Sequence, residues 1–318
     1  MCQHPVSIFK LAGMFFSMIA ICLAQSEQTH SSAISLYTFR TSVDEVSLIF
    51  HASDAQGTPL THLTRSDLVL SDNGKQQNQI LALDPLQDRP IRAGFLFDVS
   101  RSMFKDINFN RSVIQMYASR LLRKDVDQAF VMQFDTDTRI TQNWTGNERD
   151  IAAGAAAIGE QSGRIDPLTA IFDSLYTTCR DQWLHHQAES TGNFILLFSD
   201  GIDDASHVYL SEAVDMCQRA HVAIYAIASS RGSGFSDGYE TLNNLAHQTG
   251  GRVFIHPKGH EVLEDLEIME AEQRYQYLLV YKPSILIADG SFHSIRLQCS
   301  VRGARIATRS GYYAFVRR

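Results

Sequence analysis

Three oxygen-bearing side chains, Asp98, Ser100 and Ser102, occupy alternate positions directly after a mostly apolar stretch, Ala93 to Phe97. Such a stretch is typical of a buried parallel strand, and open α/β sheets bind ligands just beyond the carboxyl ends of their strands. A carboxylate and two hydroxyls are the oxygen ligands that small hard cations take. The spacing therefore predicts a divalent-cation site, for Mg2+ above all, with Mn2+ or Ca2+ as alternatives.

These residues also carry a family resemblance. The stretch from Asp98 to Ser102, Asp-Val-Ser-Arg-Ser, resembles the Asp-x-Ser-x-Ser motif of von Willebrand factor type A domains, which include the integrin inserted domains. In that family the motif forms one loop of a metal-ion-dependent adhesion site, and two later loops supply a Thr and an Asp. The resemblance implies a metal site that binds a partner protein.

Thr169 is the candidate for the Thr of the second loop, because it precedes a stretch with the apolar spacing of a helix. The family usually has Gly before this Thr, whereas this chain has Pro167 and Leu168. Ser and Thr are also common helix caps, so a capping role is the alternative for Thr169.

Asp200 is the candidate for the Asp of the third loop. It follows apolar Phe194 to Phe198 and lies in Ser-Asp-Gly, similar to the family's strand followed by Ser/Thr-Asp-Gly. The resemblance thus implies five metal ligands: Asp98, Ser100, Ser102, Thr169 and Asp200. Mg2+ usually keeps water in part of its octahedral shell. We therefore expect one position to accept an exposed Asp or Glu carboxylate of a protein ligand.

Other charged residues near these motifs have simpler interpretations. Arg101 stands where the family commonly has Gly; it could weaken metal affinity or bind an acidic ligand bidentately, and the simplest expectation is that it points into solvent. Asp135 and Asp137, and likewise Asp203 and Asp204, are interpreted as solvated turn residues rather than ligands.

The stretch from residue 91 to 275 alternates between strand and helix patterns. This order predicts an α/β domain with a doubly wound, mainly parallel sheet, which the resemblance specifies as von Willebrand A-like and Rossmann-type. The predicted strands are Ala93–Phe97, Gln128–Phe134, Phe194–Phe198, Val222–Ala228 and Arg252–Ile255. The predicted helices are Asn110–Arg123, Glu148–Ile158, Ala170–His186, Tyr209–Ala220, Tyr239–Gln248 and Glu261–Tyr275.

The flanking segments, residues 34–90 and 276–318, have β patterns. Asp-Asn-Gly at Asp72 predicts a hairpin between Leu68–Leu70 and Ile80–Leu83, and residues 85–90 are predicted to be a linker. Neither segment is large enough to close a sandwich alone, so we infer one β-sandwich into which the α/β domain is inserted. The order of parts, and the closing Gly-Tyr-Tyr-Ala at Gly311, resemble a family of secreted bacterial proteins with a von Willebrand A-related domain.

The first residues have the pattern of an export signal. Residues 1–24 contain Lys10 and then an uncharged apolar run that is short for a membrane span, and residues 25–33 form a polar, flexible leader. We expect cleavage after Ala24, no membrane span thereafter, and a secreted or periplasmic protein. Cleavage lowers the formal net charge from −7 to −8, which argues against nucleic-acid binding.

Three cysteines remain after cleavage: Cys179, Cys217 and Cys299. A bridge between Cys179 and Cys217 is one alternative, and buried free thiols are the simpler expectation.

The interpretation that follows is a secreted, non-enzymatic, metal-dependent protein-binding module. One alternative is a scaffold whose metal site is degenerate and whose contacts are made by the β domain. Another is a serine hydrolase with Ser236 as nucleophile, because Gly-Phe-Ser-Asp-Gly formally matches G-x-S-x-G.

Overall fold

The computed structural model describes residues 45–159, 168–184, 191–228, 237–255, 261–284 and 289–314. These residues belong to one unit of the chain, Phe39–Arg318. The predicted signal peptide and leader, residues 1–33, lie outside the described residues, as does Ser236. Within the described part, no helix is both long enough and apolar enough to cross a membrane.

The described secondary structure includes fourteen strands and six α-helices. The strands are β1 (Val46–Ser53), β2 (Leu68–Asp72), β3 (Lys75–Gln77), β4 (Ile80–Leu86), β5 (Ile91–Asp98), β6 (Gln128–Phe134), β7 (Thr138–Thr145), β8 (Gly192–Ser199), β9 (Val222–Ala228), β10 (Val253–Ile255), β11 (Gln276–Tyr281), β12 (Phe292–Cys299), β13 (Arg305–Thr308) and β14 (Gly311–Tyr313). The helices are α1 (Ile107–Arg120), α2 (Glu148–Ala156), α3 (Ile171–Cys179), α4 (Leu210–Arg219), α5 (Asp237–Thr249) and α6 (Glu261–Arg274). A π-helical turn, Arg180–Leu184, continues α3.

The central sheet has six strands in the order β10-β9-β8-β5-β6-β7. All neighbours are parallel except β7, which pairs antiparallel with β6 at the edge. The predicted doubly wound sheet is therefore confirmed. The sequence analysis missed β7, because an edge strand needs little apolar surface and β7 has mostly polar residues beside Ile140 and Trp144.

Helices cover both faces of this sheet. One buried cluster joins the strands to α1, α2 and α6, and the other joins them to α3, α4 and α5. Phe95 and Phe97 of β5 face the first cluster while Leu96 faces the second, and all three are fully buried. Burial on both sides explains why the central strands are nearly continuous apolar runs.

Cys179 at the end of α3 and Cys217 in α4 form a disulfide, with their Cα atoms 5.1 Å apart. The expectation of buried free thiols is therefore wrong for this pair, while Cys299 is a free thiol. Both bridged residues face the same buried cluster. Sequence spacing alone could not show that their helices are neighbours.

The flanking segments form two antiparallel sheets of four strands, in the orders β13-β1-β11-β4 and β14-β12-β2-β3. Each sheet combines strands from before and after the α/β domain. Their apolar faces share one core, which includes Leu48, Leu70, Leu279 and Leu297. The predicted β-sandwich with an inserted α/β domain is confirmed.

Two details of the predicted sandwich are wrong. Asn73 and Gly74 have φ of 47° and 75° and make the expected turn, but it joins β2 to the short β3. β4 instead crosses to the other sheet, pairs with β11 and continues to Leu86, into the predicted linker. The hairpin signal identifies a turn, but the partner strand is decided by the burial of alternating side chains in the whole sandwich.

The chain passes from the sandwich into the α/β domain before β5 and returns to the sandwich after α6. These two crossings lie side by side. Arg89, just before β5, donates its backbone N–H to the Arg274 carbonyl at the end of α6. The Arg274 guanidinium donates to the Arg89 carbonyl at 3.0 Å. It also forms ion pairs with Asp127 (2.7 Å) and with Glu270. The end of α6 is thus held by buried charges at the point where the chain returns to the sandwich.

A buried carboxylate bridges the two sheets of the sandwich. Asp72 in β2 is 4% exposed. It accepts hydrogen bonds from the hydroxyls of Tyr281 (2.8 Å) and Tyr312 (3.0 Å) and from Nδ1 of His293 (3.1 Å). Tyr281 belongs to the opposite sheet, and Tyr312 to the closing Gly-Tyr-Tyr-Ala. The motif therefore helps to lock the sandwich.

Replacing Asp72 with Ala should destabilise the protein, because three buried donors lose their acceptor. We expect a loss of about 3 kcal/mol in the free energy of unfolding, measured by urea denaturation. The control is Asp84→Ala, which removes an exposed carboxylate from β4 and should change stability by less than about 0.5 kcal/mol. Equal urea midpoints for the two variants would contradict this role of Asp72.

Candidate metal centre

The predicted site lies at the carboxyl edge of the central sheet, where β5 and β8 are neighbours. Their registers place Phe97 beside Phe198, so Asp98 and Ser199 end the two strands side by side. Asp98 is the last residue of β5, and Ser100 and Ser102 lie in the loop that leads into a 3-10 turn, Arg101–Met103.

Hydrogen bonds join the first and third loops. Asp98 is 1% exposed; its Oδ1 accepts from the backbone N–H of Ser100 (2.9 Å) and its Oδ2 from the hydroxyl of Ser199 (2.7 Å). The Ser199 hydroxyl in turn accepts from the backbone N–H of Gly201 at 3.0 Å. Sequence reasoning gave Ser199 no role, although its place in Ser-Asp-Gly was a usable signal.

The electrostatics of Asp98 are those of a carboxylate that needs a cation. Burial, together with a smaller effect of the negative charge of Asp200, raises its pKa to about 6, against hydrogen bonds from Ser100 and Ser199 that lower it. A buried carboxylate beside a second acid is costly unless it is compensated. A divalent ion between the two carboxylates would supply that compensation.

The donor set also fits the size of Mg2+. The hydroxyl oxygens of Ser100 and Ser102 are 3.1 Å apart. Two adjacent ligands of an octahedral ion with bonds of about 2.1 Å are separated by ~3.0 Å. Among the described residues no group of three or more His, Cys, Asp or Glu side chains could hold a metal. A site here would therefore rest on two carboxylates and neutral hydroxyls.

Thr169 is held by its backbone. Its N–H donates to Oδ1 of Asp204 at 2.6 Å, and its carbonyl accepts from the N–H groups of Asp204 (3.0 Å) and Ala205 (3.1 Å). The N-cap of α3 is Ala170, so the alternative that Thr169 caps this helix is wrong. The Thr169 hydroxyl makes no hydrogen bond within the described structure, which leaves it available as a ligand.

The segment after β8 caps α3 instead. The N–H of Phe172 donates to Asp203 Oδ2 and to Ser206 Oγ, both at 3.0 Å, and the N–H of Asp173 donates to Ser206 Oγ at 3.1 Å. Asp203 and Asp204 are therefore anchors between the second and third loops. Asp204 is exposed, as predicted for a solvated turn residue, whereas Asp203 is partly buried, and both have a structural role that the prediction did not include. Local sequence could not reveal this, because the capping residues lie about 30 positions from the helix they cap.

Asp200 follows β8 and is partly buried, and its Oδ1 accepts from the N–H of Ile202 at 3.1 Å. Gly201 has φ of 81°, and a Cβ on it would overlap the carbonyl oxygen of Gly238 at the start of α5. A Cβ on Gly238 would overlap the carbonyl oxygen of Asp200. Glycine at both positions lets α5 begin directly against the third loop.

Arg101 and the turn at Asp135 and Asp137 are the other charged residues that the sequence analysis considered near the site. Arg101 is exposed, as expected. Asp135 is a turn residue, whose Oδ1 accepts from the N–H of Asp137 at 3.0 Å. The Asp135 carbonyl also accepts from the N–H of Ala170 at 2.9 Å. The turn after β6 therefore helps to place Thr169.

A doubly wound sheet with oxygen-bearing side chains on three adjoining strand-end loops defines the class of protein. The family model of the von Willebrand factor type A domain matches residues 94–267, which is more than half of the chain. The chain therefore belongs to this family. Its members commonly act in metal-dependent protein–protein interaction and generally are not enzymes.

Several solved structures are similar to this chain at low sequence identity. The conserved hypothetical protein BatB from Bacteroides thetaiotaomicron is 13% identical with a TM-score of 0.46, covering 56% of this chain and 97% of its own. Proximal thread matrix protein 1 from the mussel byssus, with a zinc-occupied MIDAS motif, is 18% identical with a TM-score of 0.48, covering 63% of this chain and 50% of its own. An aerotolerance-related membrane protein from Bacteroides fragilis is 13% identical with a TM-score of 0.45, and the match covers 57% of this chain and 98% of that protein's chain. A comparison with curated proteins finds no match.

Replacing Asp204 with Ala should weaken Mg2+ binding, because the Thr169 backbone loses the carboxylate that holds it. We expect a drop in affinity of about tenfold, measured by isothermal titration calorimetry. The matched control is Asp289→Ala, which removes a carboxylate that accepts a backbone N–H from Ser291 in the sandwich. An Asp204→Ala affinity equal to that of the control would show that the second loop is positioned by other contacts.

Proposed function

We propose that this protein is an exported, metal-dependent protein-binding module. A divalent cation, Mg2+ in the first place, is held at the carboxyl edge of the central sheet. The ion accepts an Asp or Glu carboxylate from a partner protein. The proposed ligands are Asp98, Ser100, Ser102, Thr169 and Asp200.

The observation that carries the proposal is the buried Asp98 carboxylate with Ser100, Ser102 and Asp200 around it. Burying a charge without a partner is strongly unfavourable, and no cationic side chain is within ion-pair distance of Asp98 among the described residues. Two carboxylates and a divalent ion give a site that is locally about neutral. Such a site can take one more carboxylate from outside.

The surroundings of the site suit an acidic partner. Ser102 and Asp200 are partly exposed, so an ion bound there can be reached from solvent. Arg101 is exposed between the two proposed serine ligands. Its positive charge would steer an acidic group towards the ion and could hold it through two hydrogen bonds.

An apolar rim, formed by Phe104, Leu168 and Ile202, favours a protein partner. These side chains are 48%, 53% and 48% exposed, and each belongs to a different site loop, within two residues of a proposed ligand. Large exposed apolar side chains that surround one polar point are typical of protein-binding surfaces. The rim supports docking at the metal centre over the alternative in which the β domain makes the contacts.

Two features support export. Residues 1–24 have the pattern of a signal peptide, and the Cys179–Cys217 disulfide is of a kind that persists in oxidising compartments. We therefore propose that the mature chain acts in a periplasm or outside the cell.

Titration of Mg2+ and Mn2+ into the mature protein should give saturable binding, which Asp98→Asn should abolish. The substitution keeps the size of the side chain and removes the charge that the ion requires. Isothermal titration calorimetry measures the binding, and circular dichroism checks that the variant is folded. Absence of binding to folded wild type would favour the scaffold with a degenerate site.

Selection of a displayed random-peptide library on the immobilised protein in Mg2+ tests the partner class. We expect enriched peptides to carry Asp or Glu beside apolar residues and to be released by EDTA. Ile202→Ser should weaken their binding about tenfold, the equivalent of about 1.4 kcal/mol of lost apolar burial. Val126→Ser is the matched control, because Val126 is 47% exposed near the amino edge of the sheet. Enrichment that EDTA does not affect would argue against the metal as the docking point.

A further inference from the structure

The protein has a second recess at the opposite edge of the central sheet, which we call the seam crevice. It is a cavity of about 60 Å3 between the sandwich strands β1 and β13 and the start of β9. Ser47 and Arg309 line it on the sandwich side, and Asn193 and His221 on the α/β side. Ser47 and Arg309 lie outside the family-matched residues 94–267, so the crevice exists because the sandwich packs against the α/β domain.

Arg309 is the most unusual group in the seam crevice. Its Nη2 donates to the carbonyl of Ser47 at 2.7 Å, and its Nε is buried without a hydrogen-bond partner. Asp215 lies close enough for its charge to act on Arg309, but its carboxylate is paired with Arg219 at 2.8 Å. No ion pair forms between Arg309 and a described carboxylate. An unsatisfied guanidinium N–H in a recess is costly unless an acceptor fills the place.

The charge of the crevice is also positive, which suits an acceptor that is negatively charged. Arg89 also lines it and is 6% exposed, with its Nη1 donating to Gln276 Oε1 at 2.5 Å. The acid among the described lining residues, Glu272, is already bound by Arg252 and by the Tyr225 hydroxyl at 2.9 Å. The crevice is therefore positively charged and has its acid neutralised.

His221 of the α/β domain lies close enough to Arg309 and Arg89 for their charges to act on it. It occupies the turn between α4 and β9 with φ of 54°, and it lines the crevice. Burial of the imidazole, with smaller effects of the charges of Arg309 and Arg89, lowers its pKa to about 4. At neutral pH the imidazole is uncharged and can donate or accept a hydrogen bond without competing for an anion's partners.

The geometry points to a binding site for a small oxyanion, a carboxylate or a phosphate, in the seam crevice. A guanidinium binds such groups through paired hydrogen bonds, and Arg309 lines the crevice without an ion pair to a described carboxylate and with an Nε that has no hydrogen-bond partner. A cavity of about 60 Å3 exceeds the roughly 10–15 Å3 that one water needs. It is large enough for a small anion and too small for a nucleotide. The bound anion would join Arg309 of the sandwich to His221 of the α/β domain.

Thermal unfolding of the mature wild-type chain tests this site, with 10 mM sodium phosphate or sodium acetate against sodium chloride at equal ionic strength. EDTA is present throughout, so the result does not depend on the metal centre. With a dissociation constant near 1 mM, 10 mM anion multiplies the folding equilibrium constant about 11-fold and raises the melting temperature. A larger effect of phosphate identifies a tetrahedral dianion, and a larger effect of acetate identifies a carboxylate.

Arg309→Gln should lose the anion effect, while Arg305→Gln should keep it, because Arg305 is an exposed arginine on β13. Equal stabilisation of all three proteins would mean a general salt effect and would overturn the site, as would no anion-specific stabilisation of wild type. If Arg309→Gln does not fold, Arg309→Lys replaces it, and broadening of the phosphorus-31 resonance of inorganic phosphate is measured. Broadening by wild type that Arg309→Lys reduces supports the site, and equal broadening overturns it.

Discussion

Parallel strands β5 and β8 end at the same level of the central sheet, and there the Ser199 hydroxyl donates to the Asp98 carboxylate at 2.7 Å. This hydrogen bond joins the first and third loops of the candidate metal centre. It depends on the parallel register of two strands whose side chains are buried on both faces. Every proposed ligand on these loops takes its position from that shared edge.

The second loop is placed differently, through a helix held at both ends. Asp203 and Ser206 cap the start of α3 from the segment that follows β8. The disulfide ties the end of α3 to α4, which belongs to the same part of the chain. Thr169 lies just before this helix, so its position is coupled to the segment that carries Asp200. These contacts couple the second loop to the third, and such coupling favours ligand binding without large rearrangement.

The sandwich also shapes the opposite edge of the central sheet. The chain enters through Arg89 and leaves through Arg274, and the buried ion pair of Arg274 with Asp127 fixes these crossings to each other. The packing of the sandwich against the amino edge of the central sheet then creates the seam crevice. The candidate metal centre and the crevice lie at opposite edges of one sheet, because parallel strands present all their carboxyl ends on one side and all their amino ends on the other.

The sequence by itself determined the fold class, because burial on both faces makes strands into apolar runs and burial on one face makes helices periodic. It also indicated the loops of the candidate site, since Asp98, Ser100 and Ser102 are close in sequence and Asp200 directly follows an apolar strand. The sandwich was inferred correctly because neither β segment could close a core alone. These are local or compositional properties, and a linear pattern records them.

The tertiary structure alone decided the contacts between residues distant in the chain. Asp203 and Asp204 look like ordinary turn residues until α3 and Thr169 are brought against them. Cys179 and Cys217 pair because α3 and α4 lie on the same face of the sheet. β4 pairs with β11 instead of its expected hairpin partner, and its Ile80 and Leu83 pack partly buried against the sandwich core. Polar β7 becomes a strand because β6 offers it an edge. In each case the partner is chosen by packing of the complete chain, which no local spacing encodes.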